Sequence, residues 1–248
     1  MESELIKRGE DLRSRCERTA SVTHTAFLTP AEQYELSAWA KRAADCRMIF
    51  RGGAEGCERN MAFFLPFYVE EDEFDASEFI RCVKVSAAFG EPGHRDYMGA
   101  ALGLGIKREW IGDILVHGGV AHILCQSSVA EHLLLSLDKV GRCGVKTKEV
   151  ALGDVPVPKR EMKETTFSVK SLRIDAVAAG MFNISRTSAA EAVGAGLVSL
   201  NYGECLKPDA AVGEGDIISL RGKGKGTLLA IGGKSRKDRI FVSCGVYK

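Results

Sequence analysis

The sequence predicts an α+β chain of several domains, and three observations predict it. The middle of the chain orders as strand, helix, strand, strand, helix, strand. The last third opens with two short glycine-closed helices and continues as small strands. Charge divides the chain: Ser168 to Lys248 holds 12 Lys+Arg against 7 Asp+Glu, net +5, and the remaining residues hold 22 against 26, net −4. A formal net charge of +1 therefore conceals two parts of opposite sign. The basic part is an electrostatic unit of its own. With 45% hydrophobic and 27% charged residues, the 248-residue chain has an ordinary globular composition. It is long enough to bury a core without disulfides or metals.

A first domain is expected over residues 1–74. It opens with a charged helical pattern. A second helix should start near Pro30, with Thr29 as N-cap and Pro30 at the first helical position. Leu36, Trp39, Ala40 and Ala43 then recur at helical spacing. Arg47 to Arg51 and Met61 to Val69 read as strands about the turn-rich Gly52 to Gly56. The acidic run Glu70 to Glu73 is expected as a solvated loop.

A second domain is expected over residues 75–165. Phe79 to Ala88, Ile111 to Val116, Val120 to Cys125 and Val145 to Leu152 read as its strands. Arg95 to Leu104 and Ser127 to Leu137 read as its helices, the latter capped by Ser127 or Ser128. His117-Gly118-Gly119 is a hairpin signal. This order is the split βαβ arrangement of ferredoxin-like, RNA-recognition-motif-like domains. The strand Val120 to Cys125 holds no aromatic, so base stacking as in many such motifs is not expected. Asp154 to Lys163 reads as an extended connector.

A third domain is expected over residues 166–248. Ser171 should cap a helix over Leu172 to Ala179, closed by Gly180. Ser185 should cap another over Arg186 to Ala195, closed by Gly196. Strands follow at Leu197 to Leu200, Ile217 to Arg221, Leu228 to Ile231 and Arg239 to Val246. Gly222 to Gly226 and Gly232 to Lys237 read as lysine-bearing loops between them.

Five pieces of this last segment stand in a recognisable order. They are R-x-D (Arg173, Asp175), S-R-x-x-A (Ser185, Arg186, Ala189), G-x-V then N (Gly196, Val198, Asn201), K-P (Lys207, Pro208) and G-D-x-I (Gly215, Asp216, Ile218). Over about 50 residues they resemble the S-four domain, an RNA-binding module of the αL type named after a small-subunit ribosomal protein. One departure is Tyr202: the family often has N-G directly, and Gly203 comes one residue later, which should enlarge the turn. From about Phe27 to Val246 the chain also resembles the bacterial YlmH-type family. GHRDYMGAALGLGIKREWIGDI (Gly93 to Ile114) and the C-terminal place of the S-four segment carry that resemblance.

The resemblance implies a cytoplasmic, monomeric, non-enzymatic factor in ribosome-associated quality control. It would bind large-subunit rRNA and tRNA, beside peptidyl-tRNA, while stalled chains are tailed. No cofactor, metal or small-molecule substrate is implied. The implied RNA contacts are Arg173, Asn183, Ser185, Arg186, Thr187, Lys207, Arg221, Lys223, Lys225, Lys234, Arg236 and Lys237. The chemistry fits. Guanidinium binds phosphate in fork geometry, a helix start offers free N–H groups, and glycine lets backbone approach a partner around Lys223 and Lys225. Asp175 is expected to orient Arg173 or to cap a neighbour, and not to touch RNA. His94, Arg95, Lys107 and Arg108 form a possible second contact.

Other motifs fail on inspection. Gly232-Gly233-Lys234-Ser235 would need Gly at 228 for a phosphate-binding loop, and Leu228 stands there. His94-Arg95-Asp96 lacks the Asn and Asp-Phe-Gly partners of a kinase. Gly103-x-Gly105 meets Arg108 where a dinucleotide fingerprint needs glycine. The eight cysteines make no C-x-x-C pair and read as reduced thiols. The charged N-terminus is not expected to act as a secretory signal, and no apolar run is long enough to span a membrane. An RNA-modifying enzyme that uses the S-four domain as a handle is a competing function, but no candidate nucleophilic Asp stands in a suitable motif. A division-machinery adaptor is another.

Overall fold

A computed structural model describes residues 3–43, 45–156, 162–235 and 237–247. It is α+β, with three sheets among the described residues, and divides into two compact units, 1–158 and 159–248.

The first unit begins with α1 (Glu4–Thr19), β1 (Thr23–Leu28), α2 (Pro30–Ala40), β2 (Met48–Arg51) and β3 (Asn60–Phe64). Thr29 caps α2 in a capping box with Glu32, and Pro30 takes the first turn, as the sequence predicts. The strands order β1-β3-β2. β1 is absent from the sequence reading, and β3 stops at Phe64, short of Val69. Pro66 cannot donate to a ladder, and Arg47 instead holds the carbonyls of Pro66, Phe67 and Val69 at 2.6–3.1 Å.

The same unit continues with β4 (Ile80–Ala87), α3 (His94–Gly103), β5 (Ile111–His117), β6 (Val120–Gln126), α4 (Ser127–Ser136), β7 (Lys139–Val140) and β8 (Cys143–Val150). The sheet orders β5-β6-β4-β8-β7 with every pair antiparallel. Gly118 and Gly119, both at positive φ, close the β5–β6 hairpin. Gln126, not a serine, occupies the N-cap of α4, and no side chain caps it.

α3 and α4 cover one face of this sheet, over Val83, Val85, Ile123 and Cys125. Part of the other face is covered by the N-terminal sheet. Ile80, Cys82 and Leu124 share a core with Phe27, Ile49 and Phe63. The Gly53 backbone lies close against side chains of this sheet: a Cβ on Gly53 (φ +92°) would meet the Ile80 side chain at 2.8 Å and that of Leu124 at 2.9 Å.

The second unit holds β9 (Met162–Val169), α5 (Ile174–Met181), α6 (Arg186–Gly194), β10 (Val198–Leu200), β11 (Gly203–Glu204), β12 (Ile217–Leu220), β13 (Gly224–Lys234) and β14 (Ile240–Tyr247). Its sheet orders β11-β10-β12-β13-β14-β9. β9 corrects the sequence reading, which places its first residues in a connector. It pairs with β14 along its whole length, from Tyr247↔Met162 to Ile240↔Val169. Its alternation puts Phe167 and Val169 into the core beside α5.

Three further corrections concern this unit. α5 starts two residues later than predicted, with Arg173 and not Ser171 at the cap. Gly180 does not close the helix but lies inside it. A Cβ there would stand 2.2 Å from the Phe167 ring, so glycine is what lets α5 lie directly on β9. Gly180→Ala is expected to cost about 1–3 kcal/mol through overpacking, read as a lower thermal midpoint. An unchanged midpoint would mean α5 is free to shift. The Tyr202 turn is not enlarged: Leu200 pairs with Gly203, so Asn201 and Tyr202 alone make it, both at positive φ (49° and 66°).

All eight cysteines are free. Burial pushes the Cys82 and Cys125 thiols up to about 12, so both stay protonated at neutral pH. No described helix is long and apolar enough to cross a membrane. No described cluster of His, Cys, Asp and Glu could hold a metal.

Candidate nucleic-acid interface

The site is built around a carboxylate that water hardly reaches. Asp175 is 4% exposed in the first turn of α5. Its backbone N–H donates to the Pro208 carbonyl at 3.2 Å, which ties the Lys207-Pro208 loop to the helix start. Arg173 donates to its two oxygens in a fork, Nε to Oδ1 at 3.2 Å and Nη2 to Oδ2 at 3.1 Å. Arg186, from the first turn of α6, reaches Oδ2 through Nε (3.2 Å) and Nη2 (3.1 Å). The arginine side chains remain 40% and 51% exposed while the Asp175 side chain is 6% exposed. One buried anion thus orients two cations that still face solvent, and the trio keeps one net positive charge. The R-x-D and S-R motifs are two halves of this arrangement.

Ser185 is a true cap: its Oγ accepts from the Ser188 N–H at 3.0 Å. Asn183, Ser185, Arg186 and Thr187 are all exposed, so the α6 start is open. Beside it lies a groove of about 430 Å³, lined among others by Phe167, Lys170, Asn183, Ile184, Arg186 and Arg239. Arg239 is held there by Ser168, through its hydroxyl at 2.9 Å and its carbonyl. Lys170 is a cation the sequence reading missed. Its place follows from the β9–β14 pairing, a contact between distant segments that no local pattern announces.

The other predicted residues separate into two groups. Arg221 and Lys223 are exposed at the β12–β13 turn. Lys225 follows in β13, over the rings of Tyr202 (5.8 Å) and Tyr247 (5.2 Å). Lys234 and Lys237 are at the far end of β13. Eleven strand residues put the two turns roughly 30 Å apart, so they are not one patch. Lys234 pairs with Asp238 at 2.8 Å, both well exposed. Lys207 is exposed in the loop tied to α5. Arg236 lies outside the described residues.

Asn201 and Asp216, the remaining polar motif residues, are structural. Asn201 Nδ2 donates to Asp216 at 2.8 Å, and the Ile217 and Gly213 N–H groups donate to their oxygens at 2.9 and 2.8 Å.

In the first unit His94 and Arg95 are exposed at the start of α3, where the Gly93 N–H donates to Asp96 at 2.8 Å. Lys107 lies over the Trp110 ring at 5.3 Å. Arg108 points into the protein: its Nη1 donates to the Ile111 carbonyl at 2.6 Å, and burial lowers its pKa.

These features define a multi-sheet α+β protein that displays oriented arginines at adjoining helix starts. Residues 70–154 match the domain family described as "Putative RNA-binding domain in YlmH". The chain is 34% identical over 221 residues to ribosome-associated protein quality control protein P2 of Bacillus subtilis, covering 88% of this chain and 85% of that protein. In fold it is similar to cell division protein ylmH from Streptococcus pneumoniae, with a TM-score of 0.52 and 22% identity over 60% of this chain and 91% of that one. The chain belongs to the YlmH family.

Proposed function

We propose that this chain is a non-enzymatic, cytoplasmic RNA-binding factor of ribosome-associated quality control. It binds the large ribosomal subunit and peptidyl-tRNA as a monomer. The observation that carries the reading is the pair of half-exposed arginines clamped on buried Asp175 beside an open helix start. Such an arrangement presents guanidinium donors already oriented for phosphate. The name of the B. subtilis relative supports the ribosomal setting. In this reading residues 1–74 are an N-terminal domain, 75–165 an RNA-recognition-motif-like domain and 166–248 an S-four domain. The β5-β6-β4-β8 strand order supports the second assignment.

RNA is contacted by Arg173, Asn183, Ser185, Arg186, Thr187 and Lys207, and by the turn residues Arg221, Lys223, Lys225, Lys234 and Lys237. His94, Arg95 and Lys107 serve as a further contact. The test is the salt dependence of RNA affinity, measured by fluorescence anisotropy on the full chain. Each phosphate neutralised should steepen the slope of log K against log salt by about 0.7–0.9. A slope near −2 or steeper is expected from three or more contacts, and a flat response would rule the reading out.

A further inference from the structure

We infer that the middle sheet carries its own phosphate-binding strip, formed by Lys84, Lys146 and Lys148 at the β4–β8 side of the face that the N-terminal sheet covers in part. The inference rests on the reading of the chain as an RNA binder, but not on Arg173 or Arg186.

Directly opposed residues of neighbouring strands share a face, so the register can be followed as rows. Leu124, Cys82 and Val150 form one row, and all three belong to the core shared with Phe27 and Phe63. The next row is Leu115, His122, Lys84 and Lys148, and the one after it is His117, Val120, Ser86 and Lys146. Leu115 packs on that same core and His122 is buried, so the open part of the first of these rows is its Lys84–Lys148 end. These two rows hold three lysines, two histidines and no carboxylate. Lys146 and Lys148 are exposed and Lys84 is half-buried. Among the described residues, none of the three forms an ion pair.

Lys84 and Lys148 stand directly opposite each other. Like charges so placed destabilise a sheet, and no anion of the described residues relieves this pair. Burial first, and Lys84 second, push the His122 pKa below its usual value. Its ring is therefore neutral at pH 7, and the charge of the strip comes from the lysines. A local arrangement that costs stability without a compensating contact marks a functional surface. The ligand that relieves it is anionic. Neither row holds an aromatic ring apart from histidine, so the surface suits the sugar–phosphate backbone of RNA and not its bases.

The test compares Lys146→Thr/Lys148→Thr with the wild type as full chains. The probe is a single-stranded uridine oligonucleotide, and both melting and affinity are measured. The inference expects opposite signs: a thermal midpoint equal to or above wild type, and affinity about tenfold weaker at low salt. The salt slope should also shrink by about 1.4, two phosphates at 0.7 each for a single strand. Unchanged affinity and slope would overturn the inference, and so would a lower midpoint, which would make the lysines structural. Stronger binding of polyglutamate than of the oligonucleotide would also overturn it. Arg173→Ala/Arg186→Ala, measured in parallel, separates the two claims. If that variant binds like wild type while the lysine variant is weak, the arginine site fails and the strip stands.

Discussion

Asp175→Ala is expected to lose both RNA affinity and stability, although the residue is buried. Its carboxylate accepts from Arg173 and Arg186 together. Without it two guanidiniums face one another across the place the carboxylate leaves between α5 and α6. Removing one partner from a buried ion pair typically costs about 3–5 kcal/mol when the other charge stays buried. Here both arginines can turn to solvent, so about 2–3 kcal/mol is expected. For a domain of this size that lowers the thermal midpoint by roughly 10 °C or more. The freed arginines would sample many rotamers, and affinity should fall because their orientation must then be fixed on binding. Asp175→Asn keeps the shape and removes the charge, and should fall between. Calorimetry and anisotropy on both variants decide the matter: a variant that melts early but binds as wild type would show that the clamp serves folding alone.

Arg186→Ala is expected to do the reverse, with a large effect on binding and a small one on stability. A charged hydrogen bond to phosphate is worth about 1.5–3 kcal/mol, which is roughly 10- to 150-fold in affinity. Asp175 keeps its two bonds to Arg173, so the carboxylate is not orphaned. The stability change should stay within about 1 kcal/mol, as for a half-exposed ion pair. Ser185→Ala provides the contrast. Its hydroxyl caps α6, so its loss should cost about 1 kcal/mol of stability and affect binding less. If Ser185→Ala weakens binding more than Arg186→Ala does, the helix start and not the guanidinium holds the phosphate.

What was legible in the sequence is what local signals encode. Thr29-Pro30 and Ser185 announce helix starts, and Gly118-Gly119 announces a hairpin. The order of the middle strands follows from alternation and spacing. The pieces that resemble the S-four domain likewise point to Arg173, Asp175 and Arg186 as related residues. Their common bond to one carboxylate is not legible, because Asp175 and Arg186 sit on different helices. β9 escaped for a similar reason. MKETTFSV is polar on one face, and only its pairing with β14 makes it a strand. Gly180 reads as a helix stop because glycine commonly is one, and only the Phe167 ring beneath it explains glycine inside the helix. Tyr202 reads as an insertion because the resembled pattern often has glycine directly after the asparagine; in the structure Tyr202 itself takes the positive φ that tyrosine uncommonly adopts. The Lys84–Lys148 opposition exists only once register is known.

In the proposed function RNA meets this protein at the starts of α5 and α6. Ultraviolet cross-linking of the full chain to RNA in ribosomal particles, with the attached peptides identified by mass spectrometry, tests it most directly. Cross-links are expected within the peptides that carry Arg173 to Thr187, and should be lost when Arg173 and Arg186 are both replaced by alanine. Cross-links confined to the first unit, with none between Met162 and Tyr247, would contradict it.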